Sequence, residues 1–420
     1  MRIAVVGAAS TYTPELLEGL RRLAGEAAVD RVALHDVDEP RLEVVAGAAE
    51  RIARAHGYGG EVLSTTHLER AVEGADFVLV QIRVGGQAAR RVDETVPLRC
   101  GCVGQETTGA GGFSKALRTV PVVLDIADRV RSHAADGAWI VDFTNPVGIV
   151  TRALLDAGHR AVGLCNVAIG FQRLFAEWLG VMPESVRLGH AGLNHLTWIR
   201  SVAVDGGEDQ LPELIDNHGD ELAEHLEMPR RILDLLGAVP SYYLRYFYEH
   251  DVVVASMAKR RSRAEEVAEV ERGLLELYRD PALRDKPALL MERGGAYYSE
   301  AALQLVASLC DRDGAVHVVN VRNGDTIGSL PPDAVVEVPA QVSTDGVRAV
   351  PVPPLPPHQA GLTSHVAAYE ELTLRAALTG DRDLAVEALL SHPLVGQSGP
   401  AERLVDDLLA AQRRHLPQFA

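Results

Sequence analysis

The chain has 420 residues, 47% hydrophobic and 24% charged, and its 41 Lys+Arg against 58 Asp+Glu give a formal charge of −17. These are globular proportions, which exclude intrinsic disorder and fibrous repeats, and the length suffices for more than one core. So acidic a balance argues against a sequence-independent grip on nucleic acid or acidic lipid, since either needs a basic face, and leaves small anions to local arginines.

The stretch Met1–Gly7 has too few apolar residues for a signal peptide, and no run reaches the roughly 18 apolar residues of a spanning helix, so a cytoplasmic protein without membrane contact is expected. Short β-branched runs at Arg2–Gly7, Arg31–Asp36, Glu61–Thr65, Ala75–Ile82, Trp139–Phe143 and Arg160–Leu164 read as strands. Helical periodicity fills the gaps at Pro14–Leu23, Leu42–Ala55 and Phe113–Val130. Strands alternating with helices mean βαβ units and a parallel sheet. Beyond about Gly170 the pattern changes to longer amphipathic helices such as Ala264–Tyr278, mixed with strands at Val316–Val321 and Val335–Val338. The proline-dense Val350–Pro357 must be extended, because proline fixes φ and lacks a donor. Helices at Ser364–Leu378, Leu384–Leu390 and Glu402–Arg413 close the chain. The fold class is therefore α/β: a Rossmann-type doubly wound parallel sheet over 1–168, followed by an α+β domain with C-terminal helices over 169–420.

The loop Gly7-Ala8-Ala9-Ser10-Thr11-Tyr12 joins the first strand to the first helix, where a dinucleotide fingerprint belongs. Only the first of its three glycines is present; Ala9 and Tyr12 stand where the others would be. Thr13-Pro14-Glu15 offers a capping hydroxyl and a first-turn proline, and N–H groups there suit a pyrophosphate. Asp36 ends the second strand, where an acidic side chain binds ribose hydroxyls and repels a 2′-phosphate, so NAD is favoured over NADP.

Cys165-Asn166 follows the sixth strand at the carboxyl edge, where α/β sheets place ligands. Together with His195 it could make a divalent-metal site with open positions, although a buried cysteine and a satisfied core histidine are equally ordinary. Cys100-Gly101-Cys102 is a weaker metal candidate. The four cysteines, Cys310 included, are too irregular for a disulfide framework. The glycine-rich 101–112 stretch either bends tightly or meets a ligand. Tyr242-Tyr243-Leu244-Arg245-Tyr246-Phe247-Tyr248 concentrates rings in a chain that is 5% aromatic, and a tyrosine becomes a base when a cation lowers its pKa. Arg90-Arg91 and Arg293-Gly294-Gly295 offer guanidinium forks for phosphate.

Together GAASTYTPELLEGL at Gly7, the GQETTG segment within Gln81–Thr119, DFTNPVGIVT at Asp142, LCNVAIG at Leu164, GLNHLTW at Gly192, PSYYLRYFY at Pro240, RGGAYYSEAA at Arg293 and SHPLVG at Ser391 resemble glycoside hydrolase family 4. The likeness is greatest to its 6-phospho-β-glucosidase branch and runs almost end to end. It implies a second domain like that of lactate and malate dehydrogenases, NAD and a divalent metal, usually manganese. It also implies a reaction outside the two-carboxylate scheme of most glycosidases. Hydride leaves sugar carbon 3, a tyrosine takes the carbon 2 proton, the aglycone is eliminated, water adds, and hydride returns. By the same resemblance Cys165 and His195 are metal ligands, and Tyr243 the base, with Tyr242 as its neighbouring alternative. Asn145, Glu106 and Asn166 would contact the sugar, and Arg90 and Arg293 the substrate, one of them at its 6-phosphate. Gly7, Ala9, Ser10, Thr11 and Asp36 would hold NAD.

Relatives acting on α-linkages tend to carry aspartate after the metal cysteine, so Asn166, which cannot donate as a carboxylic acid does, implies β-linked substrates. Ala168 replaces a proline common in the family, and GAAS is poorer in glycine than its usual cofactor loop, leaving room for an unphosphorylated substrate. The resemblance further implies a homodimer or homotetramer. The rival readings are a 2-hydroxy-acid-type NAD dehydrogenase using His195 as acid/base and a non-catalytic NAD sensor.

Overall fold

The computed structural model describes residues 1–23, 28–294 and 297–420, so Gly295 of the Arg293-Gly294-Gly295 segment lies outside the described residues. The first six strands are β1 (Arg2–Val6), β2 (Arg31–His35), β3 (Glu61–Thr65), β4 (Phe77–Val80), β5 (Trp139–Asp142) and β6 (Ala161–Gly163). They pair in parallel in the order β3-β2-β1-β4-β5-β6. This is the doubly wound order, with its switch point between β1 and β4. Ile3–Val6, Val32–His35 and Phe77–Val80 are buried throughout, as strands covered on both faces must be.

The remaining strands are β7 (Val186–Leu193), β8 (Leu196–Val204), β9 (Val239–Pro240), β10 (Ala315–Arg322), β11 (Val335–Ser343) and β12 (Gly346–Ala349). β10, β11 and β12 extend the first sheet antiparallel beyond β6, so both halves of the chain share one nine-stranded sheet. The join is narrow: Asn320 of β10 pairs with Gly163 of β6. A Cβ on Gly163 would stand 2.9 Å from that of Asn320 and 2.1 Å from Thr151 Oγ1, so glycine permits the approach. β7, β8 and β9 form a separate antiparallel sheet.

The helices start where local chemistry tells them to. Asp38 accepts from Arg41 N at the start of Glu39–Ala55, and a capping box between Ser262 and Glu265 opens Arg263–Tyr278. Two expectations fail instructively. Thr13 is not a cap: it is the first helical residue, and its hydroxyl donates to Ala8 O (2.9 Å), tying the loop back on itself. The helix expected at Phe113–Val130 begins at Gly109, because Gly111 and Gly112 press against the backbone of Gln105 and Thr107, where no side chain fits. Val350–Pro356 is extended, and Arg200 clasps the Pro353 and Pro354 carbonyls (2.7 and 2.8 Å). No helix among the described residues is long and apolar enough to cross a membrane.

Candidate active site

At the switch point the chain turns sharply after β1. Gly7 takes φ +92°, and its N–H and that of Ala8 both donate to His35 O (2.9 Å each). A Cβ here would sit 2.7 Å from Gln81 O, so glycine is required on two grounds. Asp36 Oδ2 accepts from Ala9 N (3.0 Å) and Oδ1 from Asp38 N (3.1 Å), which fixes the carboxylate at the rim of the loop. A cleft of about 840 Å³ opens there, lined by Gly7, Ala9, Ser10, Asp36, Asn145 and Arg293 among the expected residues. Thr11 is not in its wall: it is fully buried, and its carbonyl accepts from Tyr278 Oη (2.7 Å). Arg41 donates to Ala9 O (2.8 Å) and pairs with Glu271 (3.2 Å). Arg293 pairs with the same Glu271 (3.3 Å) and reaches Ser10 Oγ (3.4 Å), on the nucleotide side of the cleft.

Arg83 and Lys115 of the cleft wall converge, with Arg90, on Glu106; Glu106 and Arg90 themselves lie outside the lining. Lys115 Nζ lies at 2.8 Å, Arg90 Nε at 3.2 Å, and Arg83 completes the set. Burial pushes the Glu106 carboxyl up, but Arg83, Lys115 and Arg90 outweigh it and hold it well below the usual carboxylate range. Burial first, then Arg83, pulls Lys115 down to about 7 against the attraction of Glu106. Arg90 is further tied to Glu94 (2.7 Å), whose other oxygen accepts from Ala264 N (2.7 Å).

Cys165, His195 and Tyr243 come from three distant segments. Cys165 is buried in the turn between β6 and the helix Val167–Leu179, with Asn166 at the helix cap. Leu193 pairs with Leu196, so Asn194-His195 is a two-residue hairpin turn, and His195 adopts φ +64°. Tyr243 lies in a 3-10 turn after β9 and stacks on the imidazole, centroids 3.6 Å apart at 12°. Tyr242 is tilted against Tyr243 at 4.7 Å.

The orientation of His195 follows from its neighbour. Thr107 N and Thr107 Oγ1 both donate to Gln105 Oε1 (2.6 and 2.9 Å). With its proton committed there, the Thr107 hydroxyl accepts from His195 Nδ1–H (2.9 Å), which leaves a lone pair on Nε2. Burial pulls this imidazole down to about 4, keeping it in the neutral form that binds metals. Burial and then Glu337 push the Cys165 thiol up, while Val167 N–H, Asn194 and Tyr298 pull it back. Burial, Tyr242 and Cys165 likewise push the Tyr243 phenol well above its ordinary value.

Among the described residues no three His, Cys, Asp or Glu side chains form a metal-binding group, Cys100 and Cys102 included. A thiol and an imidazole are two donors, which suits a cation whose other positions belong to a ligand, and Tyr243, stacked on the imidazole and acted on by Cys165, connects the two. Asn145 adds a buried Oδ1 without a protein partner. Tyr298 ties Cys165 and Tyr242 to the nucleotide cleft: it lines the cleft, and Cys165, Tyr242 and Asn145 all act on its phenol. Sequence reasoning missed Arg83, Thr107, Lys115, Tyr298 and Glu337. Lys115 left a signal, since lysine occurs only at 115, 259 and 286 in a chain that otherwise uses arginine.

Residues 2–181 match the family model described as Family 4 glycosyl hydrolase, and residues 190–395 match Family 4 glycosyl hydrolase C-terminal domain. A probable 6-phospho-beta-glucosidase of Bacillus subtilis is 37% identical, the alignment covering 100% of this chain and 98% of that protein. The 6-phospho-beta glucosidase of Thermotoga maritima, solved with manganese, NAD+ and glucose-6-phosphate, superposes with TM-score 0.92 at 38% identity, covering 99% of each chain. Malate dehydrogenase from Plasmodium falciparum shares the fold at TM-score 0.55 and 15% identity, covering 91% of this chain and 99% of its own.

Proposed function

Since the chain belongs to glycoside hydrolase family 4, we propose that it hydrolyses 6-phospho-β-glucosides by transient oxidation at sugar carbon 3. The observation that carries this reading is the stack of Tyr243 on a neutral His195, with Tyr298 in the wall of the nucleotide cleft acted on by Cys165 and Tyr242. NAD bound in the cleft and a divalent cation, manganese by likeness to the Thermotoga enzyme, would supply a reversible hydride acceptor and a Lewis acid. Gly7, Ala9, Ser10 and Asp36 would hold the dinucleotide, Thr11 supporting the loop from behind, and Cys165 Sγ with His195 Nε2 would hold the cation. A tyrosine pushed up by burial becomes a base beside a cation, so Tyr243 Oη takes the proton from sugar carbon 2 and the aglycone leaves by elimination. Water then adds, and reduction at carbon 3 restores the alcohol.

The excess of positive charge around Glu106 suits a phosphorylated sugar. Glu106, Asn145 and Asn166 orient its hydroxyls; Arg90 and Arg293 are the arginines proposed for the substrate, Arg293 from its place beside Ser10. Asn166 in place of an acid favours β-linked substrates with competent leaving groups. The assembly proposed is a cytoplasmic homodimer or homotetramer, which light scattering on the purified protein checks.

The test is nitrophenol release from its β-glucoside 6-phosphate, with NAD, manganese and thiol reductant omitted in turn, beside the unphosphorylated glucoside. Release of nitrophenol that fails at each omission supports the reading, and net accumulation of NADH without release would instead mark a dehydrogenase. Tyr243→Phe should abolish carbon 2 proton exchange while leaving NAD binding intact, and retained exchange would move the base to Tyr242.

A further inference from the structure

Behind the Asn194-His195 turn lies a carboxylate that this chemistry does not use. Glu337, on β11, is 1% exposed. It accepts from His190 Nε2 (3.0 Å), Asn194 Nδ2 (2.8 Å) and Asn320 Nδ2 (3.1 Å). Among the described residues its ion-pair partner is His190, with no lysine or arginine beside it. Asp93 and Glu106, buried elsewhere in the same fold, each hold an arginine, Arg118 and Arg83. Burial pushes its carboxyl up, but His190 and Asn194, with His195 beyond them, outweigh it and hold it below the usual carboxylate range, so it is a fixed buried negative charge that a nearby cation would answer.

Its contacts say where that charge would sit. Through Asn194 it grips the residue before His195, and Asn320, its cross-strand partner in β10, pairs with Gly163, two residues before Cys165. Its charge acts on both Cys165 and His195. We propose that Glu337 is a positioning residue for the divalent cation, which fixes the turn that carries His195 and supplies the outer negative charge that a thiol and a neutral imidazole lack. The proposal rests on the reading that Cys165 and His195 hold a cation. Carboxylates one shell out from metal ligands commonly set affinity by about 10- to 100-fold.

Glu337→Gln tests it in the full-length chain with NAD bound. The amide oxygen can keep both asparagine bonds, and its NH2 can donate to His190 Nε2 once the ring proton moves to Nδ1; that buried N–H has no partner, a cost set against the relief of a buried charge. Manganese binding is read from the electron paramagnetic resonance signal of free Mn2+. The expected result is a Kd weaker by about 10- to 100-fold, with unchanged NAD affinity and a metal-free melting temperature no lower than that of the wild type. Glu337→Asp, which restores the charge, should recover part of the affinity. An unchanged Kd overturns the proposal, and so does a weakened Kd accompanied by a fall in the metal-free melting temperature, the mark of a merely structural node. Should the glutamine variant not fold, Asn194→Ala cuts the link to the turn alone; weaker Mn2+ binding supports the proposal and an unchanged Kd overturns it. A wild-type chain that takes up no Mn2+ overturns the cation reading itself, and this proposal with it.

Discussion

Two buried ion clusters lie one turn apart on the helix Gly109–His133, and they are built on opposite principles. Arg118 meets Asp93 through two bonds (2.9 and 2.5 Å), both side chains at 0% exposure, and spends its remaining donors on Val84 O and Ser114 Oγ. One charge answers one charge, and no ligand is invited. Three residues earlier Lys115 joins Arg83 and Arg90 around Glu106, Arg90 being shared with Glu94, and Arg83 and Lys115 reach the cleft wall: three cations against two carboxylates. The first cluster is scaffold. The second is left electrically unfinished, and that is how a site for an anionic ligand is told from a buried brace.

The largest effect should come from breaking the balanced pair. Arg118→Met leaves Asp93 buried and uncompensated, and chemical denaturation should show a loss of about 3–5 kcal/mol. Lys115→Met, by contrast, relieves crowding among cations and should move stability by no more than about 1 kcal/mol while weakening phosphosugar affinity roughly tenfold, about 1.4 kcal/mol, measured by calorimetry. A comparable loss of stability in both variants would erase the distinction.

A pH experiment sharpens it further. Burial holds Lys115 in the folded state at about 7, below its ordinary value, so the unfolded chain binds the extra proton between the two values. Stability of the ligand-free chain should therefore rise as pH climbs from about 7 toward the normal lysine range, and Lys115→Met should remove that part of the slope. The smallest effect belongs to the surface: Arg382 pairs with Glu402 and Asp406 in half-exposed positions, and Arg382→Ala should cost under about 1 kcal/mol.

How much of this could be read from the chain follows the same division. The alternation of buried β-branched runs with amphipathic helices made β1 to β6 legible, because each strand carries its own periodic signal. The loop after Gly7 and the placement of Asp36 were legible for the same local reason. Cys165 and His195 were candidates from position and donor chemistry, with core residues an equal alternative; the choice between these, and of Tyr243, came through family resemblance, since nothing in their spacing says that a hairpin turn and a 3-10 turn stack two rings face to face. Thr107 lies 88 residues from the histidine it orients and Glu337 143 from the asparagine it holds, and neither carries a local pattern. Gly109, Gly111 and Gly112 looked like loop because glycine is a poor helix former; packing of Gly111 and Gly112 against the 105–107 backbone overrode that propensity.

The narrow join at Gly163 has a consequence for how this protein can change over generations. Any side chain there would collide with Thr151 and Asn320, and the collision falls two residues before Cys165. The same short stretch thus answers to assembly of the sheet and to the chemistry at its edge. Variation that suits a new substrate therefore has to leave Gly163 in place, and Asn166, just beyond Cys165, is where such a change can fall without touching the join.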